Sequence, residues 1–218
     1  MMRRRKERNA PHLNKKVETH LRQTDKGRRS SSMALKKGVR ILAIDDSSFS
    51  NEDKQALIVG VVGRNDEIEG VLSFRIDIDG EDATEKIIHK VNVSRFRDQI
   101  KLIAIHGIML AGLNTIDIIK VHDVLGMPVL ALVRKKPHGG ELENAIKAAG
   151  VTDVKNRLSI LRKINDTVKI GRIGGFYAQY VGIEKEEISN LQEISVRYLR
   201  LAHIIANGIA RGESKGRI

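Results

Sequence analysis

Residues 39–79 read VRILAIDDSSFSNEDKQALIVGVVGRNDEIEGVLSFRIDID, and three strands are legible in them. Val39 to Asp46 is a short apolar run that ends in two carboxylates. Ala56 to Gly63 is a second apolar strand. The turn residues Arg64, Asn65 and Asp66 join it to a third, Gly70 to Asp79, at hairpin spacing. The third strand alternates: Leu72, Phe74, Ile76 and Ile78 face one way, and Ser73, Arg75, Asp77 and Asp79 the other.

Working outward, Glu81 to Glu85 reads as a helix start, with acids in the first turn where the helix dipole favours them. That helix is predicted to run to about Phe96. Ile100 to Ile105 is a buried strand followed by His106-Gly107. A helix is predicted from about Leu113 to Leu125, stopped by Gly126. Pro128 to Val133 is a continuous apolar run of the kind found in parallel strands covered on both faces. A basic loop, Arg134-Lys135-Lys136-Pro137-His138-Gly139-Gly140, leads to a helix over Glu141–Ala149. Short strands are expected in 151–183, with a turn over Gly171–Gly175. Two closing helices are expected near Glu184–Gln192 and Val196–Arg211. This order predicts an α/β fold, a mixed sheet of about five strands flanked by helices. Three leading strands would be antiparallel and two parallel, in ribonuclease H-like order.

Composition narrows the class. A chain of 218 residues, 41% of them apolar, has enough material for one cored domain. No run approaches the roughly 18 consecutive apolar residues of a membrane span, and MMRRRKERNAPHLNKK lacks the apolar region of a secretory signal. Without cysteine there is no disulfide framework and no thiolate chemistry. A cytoplasmic protein with no membrane partner is expected. The net charge of +12 is unevenly spread. Residues 1–32 hold eleven basic and three acidic side chains, two thirds of the excess. They read as a basic leader outside the fold, before a start at Met33, and 33–218 as a single domain. A flexible basic arm can neutralise phosphates.

Carboxylates are the main chemical signal. Asp45 and Asp46 end the first strand, Asp77 and Asp79 share one face of the third, Asp82 lies one helical turn on, and Asp117 falls in the helix after His106. If the first and third strands are neighbours, several of these converge at one end of the sheet. Clustered carboxylates stay ionised together only when a cation neutralises them. Oxygen donors without cysteine suit Mg²⁺ or Mn²⁺, ions that support phosphodiester hydrolysis. Individually, Asp46 and Asp82 also fit turn or cap positions. Arg134 and Lys135, after a parallel strand, are candidate phosphate contacts. In the last helix Arg200, His203, Asn207 and Arg211 form a polar stripe. That stripe is either a wet face or, with Ser214 beyond it, the lining of a nucleic-acid groove. Seven aromatics are too few for a multi-base stacking platform.

Five segments together resemble a known family: AIDDSSF (43–49), IDGEDATE (78–85), HGIMLAGLNTIDI (106–118), GMPVLALVRKKP (126–137) and LRLAHIIANGIARGESKGR (199–217). They are similar to the archaeal endonuclease dU family, formerly a domain of unknown function and distantly related to endonuclease V. The resemblance covers nearly all of 39–217. It implies a ribonuclease H-like, endonuclease V-like fold and metal-dependent nicking of DNA at deoxyuridine. By position, Asp45 matches the first-strand metal aspartate of endonuclease V, and Arg134 its basic residue after a strand. The chain departs from endonuclease V in two places that matter: Ile76 follows Phe74-Arg75 where that family has glutamate, and His106 precedes Gly107 where it has aspartate. Its strand-separating aromatic-proline wedge has no counterpart near Glu69-Gly70.

The expected activity is thus that of a DNA-repair endonuclease acting on a lesion-containing duplex. Asp45, Asp79 and His106 would hold Mg²⁺ or Mn²⁺, with Asp46 and Asp82 as further ligands or water-positioning groups. Asp117 would orient His106, and Arg134, Lys135, His203 and Ser214 would contact nucleic acid. The alternative is a non-catalytic nucleic-acid-binding protein on a nuclease-like scaffold whose metal site has degraded at His106 and Ile76. A homodimer is compatible with the sequence.

Overall fold

Alternation along β1 (Arg40–Asp46) sets the layering of the molecule, a computed structural model that describes residues 38–136 and 139–214. Leu42 and Ile44 point into one apolar cluster, Ile41 and Ala43 into another. The split continues in β2 (Gln55–Arg64), where Ala56, Ile58 and Val62 oppose Leu57, Val59 and Val61. It recurs in β4 (Ile100–Ile105), where Ile103 and Ile105 oppose Leu102 and Ala104. Strands buried on both faces read as continuous apolar runs for this reason. The first cluster is covered by α1 (Ala83–Asn92), α2 (Ile118–Leu125) and α4 (Val154–Thr167), and the second by α5 (Lys185–Arg211).

The main sheet also contains β3 (Glu67–Asp77), β7 (Val129–Val133), β8 (Lys169–Ile173) and β9 (Phe176–Val181), in the order β3-β2-β1-β4-β7-β9-β8. β1, β2 and β3 are antiparallel, and β1, β4 and β7 are parallel, as expected. The fold is ribonuclease H-like. β9 and β8 extend the sheet antiparallel beyond β7, so it has seven strands rather than about five. A small ribbon of β5 (Met109–Leu110) and β6 (Asn114–Thr115) stands apart, and α3 (Gly139–Ala148) follows the basic loop.

Short side chains let α5 approach the sheet. Ala202 and Ala206 share a cluster with Ala43 and Ala104. Tyr198 lies over Gly63, where a Cβ would strike its ring, and its hydroxyl is shared between the carbonyls of Asn65 (3.0 Å) and Glu67 (2.9 Å). The helix is thereby pinned to the β2–β3 turn.

Several expected boundaries differ. α1 stops at Asn92, short of Phe96, and Ser94 accepts from the Phe96 amide, a local bond that competes with helix. The helix expected from about Leu113 starts only at Ile118, and Asn114-Thr115 pair instead with Met109-Leu110 as the ribbon. A 14-residue helix, α4, occupies much of 151–183, and only Gly174-Gly175 make the turn there. The two closing helices are one of 27 residues. Ser195 lies inside it, with its hydroxyl bonded back to the carbonyl of Leu191. β2 separates β1 from β3, so the first and third strands are not neighbours. The basic leader, Met33 and His138 lie outside the described residues. Among the described residues no helix is long and apolar enough to cross a membrane.

Candidate active site

Parity decides where the two adjacent carboxylates of β1 go. Asp45 continues the face of Ile41 and Ala43, towards α5, and Asp46 turns to the opposite face. The parallel register pairs Ile44 with Ile105, so the next residues, Asp45 and His106, are side by side where β1 and β4 end. His106 Nδ1 lies 3.2 Å from Asp45 Oδ1, which also accepts from the Asp46 amide at 2.9 Å. From α5, His203 Nδ1 reaches 3.3 Å from Asp45 Oδ2 but is not aligned as a hydrogen bond, so both atoms are buried without one. Asp45 is 0% exposed.

Burial alone would push the Asp45 carboxyl up, but the interactions with His106 and His203 outweigh it and hold its pKa below the usual value. The same contacts with Asp45 raise both histidines. Asp46 is pushed up to about 6, first by burial and then by the charge of Asp45. Asn207 adds a constraint on the ring of His203. Its Oδ1 accepts from the amide (2.9 Å) and hydroxyl (2.6 Å) of Ser48, so its Nδ2 faces His203 Nε2 at 3.2 Å. A donor there leaves Nε2 as acceptor and puts the ring proton on Nδ1, towards Asp45.

Asp46 faces the turn between β5 and β6. Its Oδ2 accepts from the Ala111 amide at 2.6 Å. Ala111 and Gly112 both take positive φ (46° and 84°), and a Cβ on Gly112 would run into Oδ1 of Asp79. Beside this turn opens a cleft of about 460 Å³, lined by Asp46, His106, Gly112, Val133, Lys135, Lys136, Glu141 and the buried Gln179. The Arg134 guanidinium lies over the Phe176 ring at 5.5 Å, and its charge opposes protonation of His106.

The other expected carboxylates do different work. Asp79 stays at the turn: its Oδ1 accepts from the Leu113 amide (2.8 Å), its amide donates to Ala111 (2.9 Å), and its carbonyl accepts from Arg157 (2.6 Å). Asp82 accepts from the Asn114 side chain (2.6 Å) and the Asp77 amide and pairs with Lys86, tying β3 to β6. Asp117 does not orient His106. It caps α2 by accepting from the Lys120 amide (2.9 Å), and Lys163 sits 3.0 Å from its other oxygen. Asp79 and Asp82 serve scaffold bonds to the 109–115 ribbon, through Leu113 and Asn114. His203 is a partner of Asp45 more than a groove surface, and Ser214 is exposed beyond the end of α5.

Among the described residues no group of three or more His, Asp or Glu is placed to hold a metal ion. Asp45, Asp46 and His106 are grouped, and Asp79 is not part of that group. The sequence reading missed Ser48 and Gln179. Ser48 carries no local signal, and Gln179 sits in a strand whose buried face becomes visible only once β9 pairs with β7.

Residues 37–210 match the family described as Endonuclease dU. A "UPF0215 protein" of Methanothermobacter thermautotrophicus is 35% identical over 190 residues, covering 84% of this chain and 93% of that one. One of Archaeoglobus fulgidus is 37% identical over 185 residues, covering 82% and 97%. The crystal structure of a protein of unknown function from Archaeoglobus fulgidus superposes with a TM-score of 0.71 at 35% identity, covering 78% of this chain and 98% of that one. A weaker likeness, to human ENDOV, has a TM-score of 0.49 at 12% identity, covering 80% and 85%.

Proposed function

We propose, from the premise that the chain belongs to the endonuclease dU family, that it is a nuclease that nicks DNA near deoxyuridine with Asp45 at its centre. One observation carries this reading. Asp45 is wholly buried, one of its oxygens lacks a hydrogen bond, and its neighbours Asp46 and His106 open into a cleft walled by Lys135 and Lys136. An unbonded buried carboxylate oxygen is costly to keep in a fold, and such groups concentrate at reactive sites.

The donors do not suit Mg²⁺, which prefers an all-oxygen octahedral shell, because both oxygens of Asp45 face imidazole nitrogen. Mn²⁺ accepts mixed nitrogen and oxygen donors, and Asp45 with His106 would be the pair that holds it; Asp46 turns to the opposite face, so the described residues offer no three-donor set. When bound, such an ion supplies Lewis acidity and an activated water. Lys135 and Lys136 neutralise the phosphates of the bound strand.

The test is incubation of the full chain with labelled duplexes carrying uracil, hypoxanthine or no lesion, in Mn²⁺, Mg²⁺ or chelator. Nicking of the uracil duplex in Mn²⁺ is expected, with a loss on the order of 100-fold or more in Asp45→Ala. Undiminished nicking by that variant removes Asp45 from the centre. A second reading, a nucleic-acid binder without catalysis, is favoured by the two histidines that already face both oxygens of Asp45. Salt-sensitive binding with no cleavage in any metal would establish it.

A further inference from the structure

Among the described residues Phe49 is the one exposed Phe or Tyr. Of the chain's seven Phe and Tyr residues, Phe96, Tyr180 and Tyr198 are buried, Phe74, Phe176 and Tyr177 are half-buried, and Phe49 is 39% exposed. It follows Asp45 and Asp46 by three to four residues, on the loop that leaves β1. Its ring lies against the 111–113 turn: a Cβ added to Gly112 would be 3.5 Å from Phe49 Cζ, and Gly112 lines the cleft that contains Asp46 and His106.

The loop that presents this ring is braced on both sides of it. Before it, Ser47 bonds Leu57 through its amide (2.8 Å) and hydroxyl (3.1 Å). Ser48 gives its amide and hydroxyl to Asn207, and its carbonyl accepts from Arg211. After it, Ser50 is bonded twice to the Asp53 carboxylate, which Arg211 also holds. An unconstrained phenyl ring would turn inward to leave water. Here α5 and the Ser50–Asp53 turn hold the backbone so that the ring remains outside, at the edge of the cleft.

We infer that Phe49 is a base-stacking residue: its ring packs against a nucleobase of the bound strand next to the one that enters the cleft. This rests on the nuclease reading for the identity of the ligand. A base has an apolar π face of the right size, and the lysines across the cleft attract the backbone that carries it.

The experiment reads binding, not cleavage, so it stands apart from the fate of the nuclease reading. The full chain, wild type and Phe49→Leu, Phe49→Ala and Phe49→Trp, is titrated in chelator onto a uracil duplex with 2-aminopurine beside the uracil. Stacking on Phe49 predicts a change in 2-aminopurine emission with the wild-type chain and Phe49→Trp. Phe49→Leu and Phe49→Ala are expected to bind roughly 5- to 100-fold more weakly and to lose that change. Because the ring is exposed, circular dichroism of all variants should match. Equal affinity and emission for Phe49→Leu and the wild type would overturn the assignment. So would equal weakening by Phe49→Trp. Wild-type binding that depends on Phe49, with no nicking in any metal, would keep the stacking contact and sink only the nuclease.

Discussion

Asp45 and Asp79 both follow apolar strand segments, and the fold surrounds them differently. The Asp79 carboxylate accepts from the Leu113 main-chain amide, while its own amide donates to the Ala111 carbonyl and its carbonyl accepts from the Arg157 guanidinium. Asp45 faces two imidazoles, and one of its oxygens is left without a hydrogen bond. A carboxylate that accepts from a turn amide fixes a backbone. One that faces titratable rings in a buried place keeps its capacity to react. The difference predicts that the Asp79–Asp82–Arg157 side governs stability and the Asp45 side governs chemistry.

The largest stability effect is expected at Arg157, 1% exposed in its side chain and bonded to the carbonyls of Thr152, Leu113 and Asp79. Arg157→Leu takes the donor from three part-buried carbonyls and should lower unfolding free energy by about 3 kcal/mol in urea denaturation. Asp82→Ala breaks the bonds to Asn114 and Asp77 and should cost about 2 kcal/mol. A change in nicking rate per folded molecule in Asp82→Ala beyond about threefold would break the division between the two sides.

Asp46 sharpens it through pH. Its folded pKa, about 6, lies above its ordinary value, so the folded chain binds this proton more tightly than the unfolded one. Its penalty is absent below the ordinary carboxyl range and grows as pH rises to about 6. His106 and His203, raised by Asp45, contribute stability that is complete below the unfolded value of 6.5 and is lost as pH rises through their folded values. Wild-type stability should therefore fall from pH 4 towards neutrality at this site. Asp46→Asn should remove its share, on the order of 2 kcal/mol at pH 7 and none at pH 3, in denaturation at the two pH values. The smallest effect is expected at Tyr198→Phe, about 1 kcal/mol for a hydroxyl shared by Asn65 and Glu67, with nicking unchanged.

The central sheet was legible because its strands are buried on both faces and read as apolar runs, and the pairing of Asp45 with His106 follows from the parallel register. The 109–115 ribbon was not. Gly112 is the one local turn signal in it, and what holds the bend are distant partners, Asp46, Asp79 and Arg157. α4 was hidden for a related reason: its buried face, Arg157, Leu161 and Ile164, carries a charge where helical periodicity calls for an apolar side chain. His203 was found on the right helix but set with the polar stripe, because only the packing of α5 on β1 turns it to Asp45.

The most direct measurement compares single-turnover nicking of a uracil duplex in Mn²⁺ by Asp45→Asn and Asp79→Asn, both folded by circular dichroism. Asp45→Asn is expected to lose on the order of 100-fold or more, and Asp79→Asn to stay within about threefold of the wild type. Loss by Asp79→Asn with activity retained in Asp45→Asn would place the chemistry on the other side of β1 and contradict the assignment of Asp45.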